Sequence, residues 1–430
     1  MQAPIEILED APEKSIKKLI KRILKITITL VIDTGILILI ALAYIVPKDR
    51  KLIVFSGRDY SGFLDNIKYL YLYLYNYGYN KKYKIYFIGH RDQSLPLLKQ
   101  YAFNVVKTPS LKAYWLYLRC NVLIADNAHW TTMGRYWAAY KAKKIQLWHG
   151  IGFKKIRVMI DSFNEKSKGI MGFFRYKLTG QLAVYDTFVS TSKFYTEKVF
   201  EPAFSPKNIV ELGYPRNDVL FDNINFKKEH LMINTDKDCF DKVLRLRKEG
   251  KKIILFTPTF RGSKKFEIDS GVINFEKLDK FCKRNNFIIV FKMHPLPTYD
   301  IDFSKYDNIL EYGNKNDVYP LFKHSDLMIT DYSSIYTDYL LLNKPVIFFP
   351  YDYDDYILNC REIQFDYDWI IPGEKAMTQN ELEDSLYRHL ILKEDKFKKK
   401  RKEIRNMSWE IQDGKSCQHI WKYLEKTYIK

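Results

Sequence analysis

Cysteine is scarce and scattered: the chain has five, Cys120, Cys239, Cys282, Cys360 and Cys417, and no CxxC pair among them. An odd number without regular spacing argues against a complete disulfide framework and fits a reducing, cytosolic compartment. The eight histidines show no HExxH or other ligand spacing, so neither a metal nor any other cofactor is expected. Zinc-finger spacings and RNP-type sequences are missing as well. Acidic residues are outnumbered, 51 against 70 Lys and Arg, which leaves a net charge of +19. Without nucleic-acid motifs, that excess points to a membrane surface or a phosphate-rich substrate rather than to nucleic acid. No internal repeat or low-complexity tract is evident. With 47% hydrophobic and 16% aromatic residues, the chain can bury the cores of two or three domains.

What is present begins with an unusual amino-terminal segment. Lys14–Lys25 carries six basic residues interleaved with Ile and Leu, the pattern of an amphipathic helix suited to an anionic lipid surface. Ile26–Val46 is mostly apolar and long enough to cross a bilayer. Asp33 opposes a crossing, since an acidic group at mid-membrane costs about 2.5–3.5 kcal/mol on insertion scales. One crossing would also put the body outside the cell, away from a reducing compartment. A helix lying in the inner leaflet is the expectation; a buried soluble helix is the competing one.

From Lys51 the pattern alternates between strand and helix. KLIVFSG, YKIYFIGH, FNVVK, NVLIADN, KKIQLWHG and DTFVSTS read as strands separated by helices such as Asp65–Tyr79 and Leu111–Arg119. The loop Asp161–Lys177, with Phe173, Phe174 and Arg175, is a candidate acceptor-side or membrane-touching flap. Gly213 and Pro215 lead out of this first unit. A second series holds KKIILFTPTFR, FIIVFKMHP, NILEY, LMIT and PVIFF. Ser408–Tyr428 reads as a terminal helix. The expected fold is α/β with two doubly wound, Rossmann-like domains. Expected boundaries are a membrane-associating segment at 1–47, a first domain at 48–205, a second at 206–405, and a helix at 406–430 packing back on the first.

The stretch SDLMITDYSSIYTDYLLLNKPVIFFPYD, residues 325–352, reads as strand, turn, helix and strand. In such a unit a ligand lies beyond the strand ends, against the helix start, where free N–H groups favour phosphate. Ser333 and Ser334 stand there, either facing a phosphate or merely capping the helix. Asp338, one turn on, could accept from sugar or polyol hydroxyls. His149, Thr259, Arg261 and His294 also stand at strand ends. Together they form a cleft in which Arg and His meet a pyrophosphate and a histidine of near-neutral pKa can take a proton.

Seven ordered motifs carry a resemblance: WHG with a following Lys (Trp148–Gly150, Lys154), GYPRND (Gly213–Asp218), TPTFR (Thr257–Arg261), KMHP (Lys292–Pro295), TDYSSIYTDY (Thr330–Tyr339), PVIFFPYD (Pro345–Asp352) and DGKSC (Asp413–Cys417). Over residues 50–425 the chain resembles the CDP-glycerol glycerophosphotransferases of teichoic acid synthesis. The resemblance implies a GT-B architecture and a membrane-associated enzyme on the cytoplasmic face. It also implies transfer of glycerol phosphate from CDP-glycerol to a hydroxyl of a lipid-linked acceptor, releasing CMP. It makes His149 the general base and His294 its catalytic companion at the phosphates. Gly150, Ile151, Gly152 and Phe153 would stand beside the base in the donor site. Arg216, Pro258, Thr259, Lys292, Met293, Ser333, Ser334 and Asp338 would line the nucleotide and phosphates, with Arg261 beside them. The family's polymerases usually read HGTP where this chain reads HGIG; Ile151 removes a hydroxyl and Gly152 loosens the loop. Competing readings are a CDP-ribitol transferase, a sugar-nucleotide glycosyltransferase using Asp331 or Asp338, and a non-catalytic basic membrane adaptor.

Overall fold

A computed structural model describes residues 11–59, 62–90, 94–161, 163, 165, 169–259, 271–293, 301–359 and 362–429. Arg261 and His294 lie outside the described residues, as do the side chains of Lys14, Lys17, Lys18 and Lys25.

Short runs of Ile, Val, Leu and Phe become strands because branched and aromatic side chains pack well on both faces of a covered sheet. Seven of them, β1 (Asp49–Asp59), β2 (Lys84–His90), β3 (Val105–Thr108), β4 (Cys120–Ala125), β5 (Lys143–Gln146), β6 (Thr187–Ser190) and β7 (Ile209–Glu211), form one sheet in the order 3-2-1-4-5-6-7. Six more, β8 (Lys252–Thr257), β9 (Phe287–Lys292), β10 (Ile309–Tyr312), β11 (Leu327–Thr330), β12 (Val346–Phe348) and β13 (Glu374–Lys375), form a second, ordered 10-9-8-11-12-13. All pairings within both sheets are parallel. β7 carries the first sheet past residue 205.

Each sheet reverses its order once, between β1 and β4 and between β8 and β11. Connections there leave to opposite faces, so a crevice opens beyond the strand ends. α2 (Asp65–Asn76) follows β1 and is buried on every side from Asp65 to Leu74. Its tyrosines stay satisfied by reaching outward: Tyr69 Oη donates to Asp317 at 2.8 Å and Tyr71 Oη to the Asn104 carbonyl at 3.3 Å. One apolar core runs from Ile53 and Phe55 through Tyr214 and Val219 to Tyr336 and Phe348, so the domains pack as one body.

The carboxyl-terminal segment is not one helix over Ser408–Tyr428. Helix Lys398–Ser408 ends, and a new one runs over Ser416–Tyr428. The DGKSC turn makes the break: Gly414 has φ +64°, and a Cβ there would meet Phe221 Cβ at 2.4 Å. The Asp218 carboxylate, from GYPRND, accepts from Ser416 and Cys417 N–H at 2.8 and 2.7 Å. The last helix lies on the first domain, with Trp421 4.9 Å from the Tyr79 ring and Glu425 accepting from Tyr83. At the other end, the basic and apolar stretches form one continuous helix, α1 (Ala11–Ile45). Its part from Ile20 to Ile45 is long and apolar enough to cross a membrane.

Candidate functional site

His149 is aimed by a strained turn. Beyond β5, Trp148 adopts φ +55°, a left-handed conformation that bulky residues avoid. Two side chains hold it: Trp148 N–H donates to Gln146 Oε1 at 3.0 Å, and Asn66 Nδ2 donates to the Trp148 carbonyl at 2.9 Å. His149 Nδ1 lies 2.8 Å from the Asp126 carbonyl. A carbonyl only accepts, so Nδ1 carries the hydrogen and Nε2 keeps its lone pair. Burial and the neighbouring Arg58 push the imidazole down to about 3, with Asp65 acting the other way. The ring is therefore a neutral acceptor at ordinary pH.

Two arginines and three carboxylates surround it. Arg58 pairs with Asp65 and, at 3.2 Å, with Asp126. Arg216 Nη1 donates to Asp65 and to the His149 carbonyl, each at 2.7 Å, while Nη2 donates to Asp338 at 2.7 Å. Its guanidinium sits between the Tyr214 and Tyr319 rings, 5.0 and 4.9 Å from their centroids. Burial pushes the Asp65 carboxyl up, but Arg216 and Arg58 outweigh it and hold it at about 2. The ring of charges thus fixes His149 at both its imidazole and its backbone. Arg58, Asp65, Asn66 and Asp126 escaped the sequence reading. Their one visible signal was position, at the ends of β1 and β4 and at the start of α2.

The opposite wall comes from the second domain. Ser333 and Ser334 follow β11, and Ile335 N–H reaches Ser333 Oγ at 3.4 Å, while Ser334 makes no capping bond. Gly150 and Gly152 close on Ser334: a Cβ at Gly150 would lie 2.7 Å from Ser334 Oγ, and one at Gly152 3.1 Å from Ser334 Cβ. Thr337 Oγ1 donates to the Ile151 carbonyl at 3.2 Å. The HGIG loop therefore touches the serine turn directly, and glycine is what permits the approach. Lys292, at the end of β9, donates to the Asn314 carbonyl at 2.5 Å. Burial lowers its ammonium to about 8, a loss that an arriving anion would reverse. Thr259 N–H is held by Asp331 at 2.9 and 3.0 Å, tying the TPTFR loop to the end of β11.

Of the expected residues, His149, Gly150, Gly152, Thr259, Lys292, Ser333 and Ser334 keep exposed surface around the cleft. Others do not. Ile151, Phe153 and Met293 are core side chains, and Pro258 is buried. Phe153 packs on the Tyr367 ring, so these residues shape the loops rather than face a ligand. Ile151 points into the core, away from the base, and Gly152 fits the loop tightly against Ser334 instead of loosening it. Arg216 and Asp338 lie beneath the cleft, buried and bonded to each other, so Asp338 is not placed to accept from a substrate hydroxyl.

Comparison with known proteins gives consistent relatives. The family model described as CDP-Glycerol:Poly(glycerophosphate) glycerophosphotransferase matches residues 38–426. The teichoic acid poly(glycerol phosphate) polymerase of Staphylococcus epidermidis is 28% identical over 396 residues, which cover 88% of this chain and 51% of that protein. The chain thus matches about half the length of that relative. The Bacillus spizizenii protein of the same name is 28% identical over 371 residues, 82% of this chain and 86% of that one. A solved structure of the wall teichoic acid polymerase TagF superposes with a TM-score of 0.70 at 25% identity, covering 88% of this chain and 89% of that one.

Proposed function

The chain belongs to the CDP-glycerol:poly(glycerophosphate) glycerophosphotransferase family, and on that premise we propose that it transfers glycerol phosphate from CDP-glycerol to a hydroxyl of a lipid-linked or polymeric acceptor, releasing CMP during synthesis of a teichoic-acid-like surface polymer. The observation that carries this is the meeting of the His149 loop with Ser334 across the cleft. It sets a neutral imidazole opposite a serine turn, with the desolvated Lys292 at the end of β9, two strands from β11 in the same sheet. The acceptor oxygen bonds to the phosphorus that bears the glycerol, and His149 Nε2 takes its proton. The bridging P–O bond breaks, and its electrons leave with CMP. Lys292, Ser333 and Ser334 offset the charge on the phosphates. His149 begins as a weak base, and the diphosphate beside it raises its pKa, so the base strengthens once the donor is bound.

We place the protein at the cytoplasmic face of the cell membrane. The exposed apolar helix supports the membrane, and the free, buried Cys120, Cys239, Cys282 and Cys417 support the cytosol. The test incubates purified protein with CDP-alcohols and nucleotide sugars and follows nucleotide release with and without acceptor. CDP-glycerol should give acceptor-dependent CMP. His149→Ala should lose about 10²–10⁴ in turnover with donor affinity little changed; unaltered turnover would sink the assignment. CDP-ribitol is the second reading, favoured by a ribitol-phosphate polymerase of Staphylococcus aureus that is 31% identical over 264 residues, 56% of this chain and 41% of that one. A sugar-nucleotide reading loses its acidic candidates, since Asp331 and Asp338 are both buried.

A further inference from the structure

Arg58 is the member of the ring of charges that reaches the surface. Its side chain is 22% exposed, against 10, 1, 3 and 0% for Asp65, Asp126, Arg216 and Asp338. It stands at the carboxyl end of β1, beside the crevice where the first sheet reverses its order. Nε donates to Asp126 at 3.2 Å and Nη2 to Asp65, while Nη1 makes no bond among the described residues. A guanidinium carries five N–H donors in a rigid fork. Two buried carboxylates therefore fix this one in place and still leave Nη1 over. Arg216 differs, because both its Nη groups are spent on the protein.

Arg58, Asp126 and His149 stand at the ends of three neighbouring strands, β1, β4 and β5, and adjacent strands lie about 4.8 Å apart. Arg58 and His149 are thus two strand spacings apart across Asp126, which holds the guanidinium through its carboxylate and the imidazole through its carbonyl. One residue sets the distance between a proton acceptor and an open cation. A hydroxyl and a phosphate on one small molecule match that pair when a glycerol separates them. Ser333, Ser334 and Lys292, assigned above to the donor phosphates, belong to the second domain, whereas both partners of Arg58 belong to the first. We propose that Arg58 binds the phosphate of the acceptor's terminal glycerol phosphate unit, so that the hydroxyl of that unit meets His149 Nε2. The inference deepens the transfer reading and rests on it: the favoured acceptor is an alcohol that already bears a phosphodiester, and a bare alcohol is a poor one. A phosphate seated there also offsets the cation that, after burial, depresses the His149 imidazole. The acceptor strengthens the base that is to take its proton.

The test uses the full-length protein, CDP-glycerol and two water-soluble acceptors that share one glycerol end: a glycerol phosphodiester with a short alkyl chain, and the corresponding neutral alkyl ether. CMP release by the wild type should favour the phosphodiester by about tenfold or more in kcat/KM, the worth of charge-assisted hydrogen bonds to one anion. Arg58→Lys keeps the charge beside Asp65 and Asp126 but loses the fork, and Arg58→Gln loses the charge as well. Both should erase the preference, through a rise in KM confined to the phosphodiester, while calorimetry gives CDP-glycerol its wild-type affinity. A wild type that uses the two acceptors alike would overturn the assignment without any variant. So would variants that lower both acceptors by one factor, which would make Arg58 structural, or that weaken CDP-glycerol, which would give it to the donor. The phosphodiester is also titrated into wild type and variants without donor, and its binding should need Arg58. Such binding without CMP release would count against the transfer reading alone, and CMP release with binding indifferent to Arg58 would count against the phosphate assignment alone.

Discussion

The His149 imidazole is a neutral acceptor in the folded chain, and its pH behaviour follows. Unfolded, an imidazole titrates near 6.5; folded, this one titrates at about 3. Between those values the unfolded chain holds more protons, so stability falls as pH is lowered through the window. Asp65, held at about 2, adds its own loss only below its unfolded value near 3.8. His149→Gln should therefore lose less melting temperature than the wild type between pH 6.5 and 4, as read by calorimetry across that range. Equal slopes would mean that the ring is not kept neutral by its surroundings. His149 and the two serines were legible because each follows an apolar run that announces a strand end. Arg58, Asp65 and Asp126 were not, because the partners of Arg58 and Arg216 lie 7, 68 and 151 residues away, and a single sequence carries no mark of such pairing. Ile151, Phe153 and Met293 show the opposite failure. A motif marks a stretch, and alternation along the backbone then sends some of its side chains into the core.

Among the elements, the loop from His149 to Phe153 has the least tolerance. Gly150→Ala would press a methyl group to 2.7 Å from Ser334 Oγ. It should lower the melting temperature and weaken CDP binding, and Ser334→Ala, by removing that oxygen, should recover part of the stability though not the binding. A double-mutant cycle should show coupling of about 0.5–3 kcal/mol, the range for residues in contact; additive effects would mean that the loop and the serine turn stand apart. The strands were readable because β-branched and aromatic runs bounded by turns leave little else to form. The sequence marks a helix at Asp65–Tyr79 but not its enclosure on all sides, where its polar side chains are satisfied by groups distant in sequence. The break before Ser416 was missed because it depends on Asp218, which waits in another domain.

Over the whole molecule, the two domains are clasped rather than hinged about an open gap. Arg216 binds Asp65 on one side and Asp338 on the other, and Lys68 reaches Asp317 at 2.8 Å. Lys155 N–H donates to the Glu362 carbonyl at 3.0 Å, and Trp409 Nε1 to the Thr337 carbonyl at 2.8 Å. Arg216→Ala leaves the buried Asp338 without its cation and Asp65 with Arg58 alone, a loss of about 3–5 kcal/mol for a broken buried pair. Urea unfolding should show that drop; a wild-type midpoint would assign the clasp to the apolar core instead.

The return of helix Ser416–Tyr428 to the first domain has a consequence for synthesis. Trp421 and Glu425 complete a surface made by Tyr79 and Tyr83, residues translated far earlier. A nascent chain on the ribosome cannot finish that domain while residues 416–428 are still unmade, although α1 has long since emerged. The long apolar helix α1 is complete in the growing chain before the site is. Assembly then runs in a fixed direction, with α1 first and a closed first domain last, and a chain cut short by early termination would keep that helix and lack the finished domain.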